Sequence, residues 1–325
     1  MVAPVRTLAR RRLSRLKGEP MTSQHPLAGV YAAAVTPLRE KSDLTLDLES
    51  VPLLMQFLAS RGCHGIVLFG TTGEGPSFSP TEREMLMRTA HEARESMPGF
   101  RLIAGTGTPS LSETIDLTKL AFDLGYDGVL VLPPYYFRKA TDNGLFTWFS
   151  EVIKKAVPSS GHLLGYHFPN VAGIGLSIEL LARLKDAFPA QFAGIKDSSH
   201  DADLARNLGE KFGSDLVVLT GTDSYLQLAM QNKAAGCITA PANIISPNLR
   251  EIWDLINDGQ DPSQARARVK AQRDILDKYP PFPPTLKVLL HRLHGFPRWA
   301  VRLPLESISQ ELEEQVVQEF EGLKV

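Results

Sequence analysis

From residue 27 onward, short runs of β-branched and other apolar residues end in small polar residues and give way to longer amphipathic stretches. There are eight such runs: "GVYAAAVTPL" (29–38), "GIVLFGTTGEG" (65–75), "RLIAGTG" (101–107), "GVLVLPPYYF" (128–137), "HLLGYHFPN" (162–170), "FAGIKDSS" (192–199), "LVVLTGTDS" (216–224) and "GCITAPAN" (236–243). Helical patterns lie between them. In "SPTEREMLMRTAHEARES" (79–96) Ser79 and Glu82 fit a capping box, and "SETIDLTKLAFDLG" (112–125) closes on Gly125 as a helix C-terminus does. Continuous apolar strands alternating with helices predict a parallel sheet covered on both faces. Eight such units closing on themselves predict an α/β fold, the (β/α)8 TIM barrel of roughly 250 residues. A doubly wound open sheet is the competitor, but its dinucleotide fingerprint G-x-G-x-x-G is absent, as is the phosphate loop G-x-x-x-x-G-K-[ST].

Beyond the eighth run, helical patterns near 246–258, 262–278, 284–294 and 304–323, broken by "YPPFPP" (279–284), exceed what barrel closure needs. They predict a C-terminal helical appendage. The expected organisation is an N-terminal extension over 1–26, a barrel over 27–245 and C-terminal helices over 246–325.

Composition narrows the function. The 325 residues are 43% hydrophobic with a formal net charge of −1, which suits a substantial core and leaves no electrostatic footprint for nucleic acid. The one basic run, "RTLARRRLSRLK" (6–17), precedes Met21 and reads either as an organellar, for instance mitochondrial, targeting segment or as an upstream start outside the folded unit. No apolar run approaches the roughly 18 residues of a membrane helix, and no secretory h-region is present. Cys63 and Cys237 are too few and too separated for a disulfide framework or a thiolate metal site. A cytoplasmic protein in a reducing compartment, with no membrane or nucleic-acid partner, is the expectation.

Lys196 is the anomaly, because an ammonium inside the apolar run "FAGIKDSS" is costly to bury without a partner. In a barrel, catalytic groups sit at the C-terminal ends of strands, and the polar motifs fall there: Thr71, Thr72 and Gly73 after the second run, Tyr135 and Tyr136 after the fourth, Tyr166 in the fifth, Lys196 and Ser198 in the sixth, Asp223 after the seventh and Thr239 in the eighth. A desolvated lysine in such a mouth holds a fraction of neutral amine, the condition for attacking a carbonyl and forming a Schiff base. Strand-end tyrosines could shuttle its protons, and backbone N–H groups of "GTTGEG" could hold a carboxylate. Blander readings stand beside these. Tyr135 serves equally as a wall, Glu74 as an acceptor that shapes its loop, and Asp223 as a helix cap or a partner for a substrate hydroxyl. His291 and His294 lack a third metal ligand and read as structural, while His167 is open between pocket and outer face.

"GTTGE" (70–74), "PPYY" (133–136), Y-x-x-P (166–169) and "GIKDSS" (194–199), in that order, resemble the dihydrodipicolinate synthase and N-acetylneuraminate lyase family of pyruvate-dependent aldolases over residues 27 to 310. The resemblance implies that Lys196 forms a Schiff base with a 2-oxo acid, usually pyruvate, with no metal and no other cofactor. It implies that Tyr166 moves protons beside it, that Thr71 and Thr72 meet the carboxylate, and that Tyr136 enters the neighbouring subunit's relay in a homotetramer built as a dimer of dimers. Lys196, Tyr166, Tyr136 and Thr71 form the expected catalytic set; Thr72, Gly73, Ser198, Asp223 and Thr239 the substrate-binding set.

Two departures bear on the substrate. The synthase branch carries an arginine where this chain has Val171, and the sialic acid lyase branch an acidic residue where it has Ser224. "KDS" (196–198) looks closer to the aldolases of 2-keto-3-deoxy sugar acids and of 4-hydroxy-2-oxoglutarate. The expected reaction is reversible cleavage of such an acid to pyruvate and an aldehyde. The alternatives are 4-hydroxy-tetrahydrodipicolinate synthase, a keto-deoxy sugar acid dehydratase, a metal-dependent aldolase or a non-catalytic 2-oxo acid binding protein.

Overall fold

The computed structural model describes residues 25–40 and 44–323. The basic run at 6–17 lies outside them, as does Met21. Eight strands, β1 (Gly29–Ala33), β2 (Gly65–Leu68), β3 (Arg101–Gly105), β4 (Gly128–Val131), β5 (Leu163–His167), β6 (Phe192–Asp197), β7 (Val217–Thr220) and β8 (Gly236–Thr239), pair in parallel with their chain neighbours. β8 pairs back onto β1, so the sheet closes and the TIM barrel read from the sequence is the fold. The helices are α1 (Ser50–Ser60), α2 (Pro80–Arg94), α3 (Leu111–Asp123), α4 (Asp142–Ala156), α5 (Pro169–Ala172), α6 (Ile178–Ala187), α7 (Ala202–Phe212), α8 (Leu226–Gln231), α9 (Ala242–Asn257), α10 (Ser263–Leu276), α11 (Phe282–His294) and α12 (Gln310–Gly322).

The uninterrupted apolar strands follow from a sheet buried on both sides. Alternate residues fill the barrel interior, among them Tyr31, Val67, Ile103, Leu130, Leu164, Leu219 and Ile238, while their neighbours Val30, Ile66, Leu102, Val129, Leu163, Val218 and Cys237 pack under the helices. The capping box on α2 forms as its sequence predicts: Glu82 accepts from the Ser79 N–H at 2.9 Å and donates its own N–H to Ser79 Oγ at 3.3 Å.

The last four helices follow the predicted order; α11 starts at Phe282, inside "YPPFPP", and the starts of α9 and α12 shift further. α9 begins at Ala242, where Asn243 donates to the carbonyls of Ala33 and Ala240 and accepts the Val35 N–H, tying its first turn to β1. α12 begins at Gln310 rather than 304, because Ser309 caps it by accepting the Leu312 N–H.

Candidate active site

β5 and β6 set the centre of the site. Their register places Tyr166 directly opposite Lys196, and the Lys196 ammonium stands 4.2 Å from the centroid of the tyrosine ring. The ring face offers a cation partner where water is excluded, since Lys196 is only 4% exposed. Its strand neighbours Ile195 and Asp197 point the other way, toward the helices or the outer loops. Across the mouth, the Tyr166 hydroxyl lies 3.4 Å from Thr71 Oγ1. A cavity of about 200 Å³ covers this group, bordered by Thr71, Thr72, Tyr166, Lys196 and Ser198 and roofed by Arg273 and Pro281–Pro283 of the appendage. A buried amine over the ring of a phenol whose hydroxyl reaches a threonine hydroxyl forms an arrangement able to attack a carbonyl and relay protons.

The loop after β2 is pinned from several sides. Gly73 lies so near β1 that a Cβ there would stand 2.8 Å from the Ala34 carbonyl oxygen, and its own carbonyl accepts from Thr36 Oγ1 at 2.7 Å. Glu74 adopts a left-handed backbone (φ +55°) and sends its carboxylate inward, where Lys287 of α11 donates to Oε1 at 2.5 Å and the Arg302 N–H to Oε2 at 2.7 Å. Lys287 is 1% exposed and also donates to the Ala300 carbonyl. Burial pushes the Lys287 ammonium down from its ordinary pKa, and the Glu74 carboxylate opposes that shift. The appendage thus fastens the loop that carries Thr71 and Thr72.

Not every residue named from the sequence joins this group. Asp223 is buried, but its Oδ1 accepts from Arg273 Nη1 at 2.5 Å, so its side chain turns toward the appendage and neither caps a helix nor borders the cavity. Burial raises the Asp223 carboxyl from its ordinary value, and Arg273 pulls it back down. Thr239 is buried beside Ile238; Ile238 and Ala240 border the cavity, whereas Thr239 faces the other side of β8. Tyr136 stands 77% exposed on the surface with Phe137, ring centroids 5.3 Å apart, away from Lys196 of its own chain. His167 turns outward and accepts the Leu176 N–H at 2.9 Å, while the His291 ring meets the Phe296 carbonyl at 2.7 Å and the His294 ring packs on Phe57. Among the described residues no group of histidine, cysteine and carboxylate side chains is arranged to hold a metal ion. Arg273, His200 and Phe168, which also border the cavity, drew no notice in the sequence.

The dihydrodipicolinate synthetase family model matches residues 26–322. The chain belongs to that family. It is 35% identical to a DapA-like lyase of Chloroflexus aurantiacus, itself named as uncharacterized, over 87% of this chain and 92% of that one. It is 30% identical to a 4-hydroxy-tetrahydrodipicolinate synthase of Prochlorococcus marinus over 90% and 95%. Among solved structures, dihydrodipicolinate synthase from Agrobacterium tumefaciens superposes with a TM-score of 0.82 at 33% identity, covering 91% of this chain and 99% of that one. A chloride-inhibited dihydrodipicolinate synthase of Acinetobacter baumannii, complexed with pyruvate, superposes at 0.80 and 29% identity, covering 90% and 98%. Members of this family are pyruvate-dependent carbon–carbon lyases that work through a lysine Schiff base without an external cofactor, and this chain is a lyase of that kind. Among the described residues no helix is long and apolar enough to cross a membrane.

Proposed function

We propose that Lys196 is the Schiff-base lysine and that the enzyme reversibly cleaves a 4-hydroxy-2-oxo acid to pyruvate and an aldehyde. The observation that carries this is the buried Lys196 amine, paired across the strands with Tyr166, whose hydroxyl reaches Thr71. In the cleavage direction the amine adds to the C2 carbonyl and water leaves, giving a protonated imine. Removal of the C4 hydroxyl proton breaks the C3–C4 bond, the electron pair moves into the imine as an enamine, and the aldehyde departs. The enamine takes a proton at C3, and water then releases pyruvate and the free amine. Tyr166 and Thr71 carry these protons, and Tyr136, exposed on its own chain, completes the relay of a neighbouring subunit within a dimer of dimers. Thr72 and the backbone of Gly73 hold the substrate carboxylate, supported by the pinning of their loop from β1 and α11. Val171 speaks against the synthase reading, since a valine cannot make an arginine's bidentate pair with a second carboxylate.

The 2-keto-3-deoxy sugar acids are the polyhydroxylated members of this substrate class. Ser198 borders the cavity over Lys196 and can meet one of their hydroxyls, whereas Asp223, whose Oδ1 is held by Arg273, does not border it. The test is pyruvate release from 4-hydroxy-2-oxo acids by the parent and by Tyr166→Phe. The variant is expected to keep the fold and pyruvate binding while losing roughly 10²- to 10⁴-fold in kcat, the usual contribution of a positioned proton donor. Near-parental kcat would remove Tyr166 from the relay.

A further inference from the structure

The cavity over Lys196 is only part of the barrel mouth. On the far side of Thr71 and Tyr166 a second chamber of about 270 Å³ is walled by Phe69, Leu130, Leu132, Val171, Pro304 and Leu305. Thr71 and Tyr166 border both spaces, so an acid attached to Lys196 lies beside the two side chains that this chamber shares with the Lys196 cavity. We propose that the chamber receives the aldehyde portion of the substrate and selects an aldehyde with an apolar body, aliphatic or aromatic, over a polyhydroxylated one. This rests on the Schiff-base assignment and adds the substrate class to it.

The argument is one of unmet hydrogen bonds. A sugar chain brings a hydroxyl on nearly every carbon, and each one that leaves water for an apolar wall without a partner is penalised. Against these apolar walls the polar border is limited to the hydroxyls of Thr71, Ser77, Tyr135 and Tyr166 and to Glu74 and Arg83, which are engaged within the protein. Glu74 is taken by Lys287 and the Arg302 N–H, and Arg83 of α2, itself buried, gives Nη2 to the Gly75 carbonyl at 2.6 Å. Arg83 Nε is buried without a partner, which leaves one donor for a single acceptor atom rather than for a row of hydroxyls. Val171 removes the cation that would favour an anionic acceptor, and Asp223 is sequestered by Arg273.

The test is the condensation direction, with pyruvate and a panel of butanal, benzaldehyde, glyceraldehyde and erythrose, product formation being compared as kcat/KM. Apolar aldehydes should lead by about tenfold or more, the range an apolar pocket commands. Val171→Asn, at a position 47% exposed and therefore safe for the fold, should narrow that lead. Borohydride trapping of pyruvate is run on both proteins. If pyruvate is trapped on Lys196 while glyceraldehyde or erythrose is preferred, the chamber proposal falls and the Schiff-base assignment stands. A lead for apolar aldehydes that Val171→Asn and Leu305→Asn leave unmoved also overturns the proposal, and shows that the chamber is filled by something else, such as the neighbouring subunit's Tyr136. Failure to trap pyruvate overturns both.

Discussion

His64 Nδ1 accepts the Val30 N–H at 2.9 Å at the foot of the barrel, and His25 Nδ1 accepts the Leu27 N–H at 3.0 Å. Each ring must be neutral at Nδ1 to do so. Burial, the largest cause, holds both imidazoles down to a pKa of about 4. Their values in the unfolded chain lie near the ordinary 6.5. Because the unfolded chain takes up these protons first as the pH falls, their contribution is complete above pH 6.5 and drains away between 6.5 and about 4. His64→Asn, whose amide oxygen can accept the same N–H without titrating, should therefore flatten the acid limb of a Tm-against-pH curve in that window. An unchanged limb would show that His64 does not contribute. At this scale the sequence was legible where chemistry disagreed with surroundings. Lys196 stood out because its neighbours are apolar, and Lys287 in "TLKVLL" carries the same signal. What one chain cannot display is the partner, and the partners differ: an aromatic face for Lys196, a carboxylate for Lys287. Asp223 shows the limit, since its aspartate invites a substrate hydroxyl until α10 brings Arg273 against it.

Among the elements, the loop after β2 and α11 depend on each other. The Lys287–Glu74 pair is buried at both ends, so removing one partner strands the other's charge, a loss of about 3–5 kcal/mol in comparable pairs. Lys287→Met should lower stability by that order in urea unfolding. Adding Glu74→Gln, which can still accept the Arg302 N–H, should restore most of it. If the double variant were as unstable as the single, packing rather than the stranded carboxylate would be the cause. Strands and barrel helices were readable because each obeys a local period and ends on a local signal, as Ser79 and Gly125 do. The start of α9 was not, because what fixes it is Asn243 reaching β1, a contact 210 residues away in the chain. Thr239 was misleading for a related reason: the sequence places it at a strand end, but only the barrel's alternation decides which face it takes.

Taken whole, the molecule is a closed barrel whose mouth is roofed by its own C-terminal helices, with one buried amine at the centre. Strand order alone brings Thr71, Tyr166 and Lys196 together from three separate stretches of sequence, which is why eight repeated units made the candidate site legible in the sequence. The second chamber was not legible, since its walls come from the ends of β2 to β5 and from Pro304 and Leu305 far along the chain. The central claim is that Lys196 attacks the carbonyl of a 2-oxo acid. Reduction with borohydride in the presence of pyruvate, followed by intact-mass and peptide mass analysis, tests it directly. The account predicts one reduced pyruvate adduct per chain, on Lys196, and none on Lys196→Ala. An adduct on another lysine, or a parent protein that gains no mass, would contradict it.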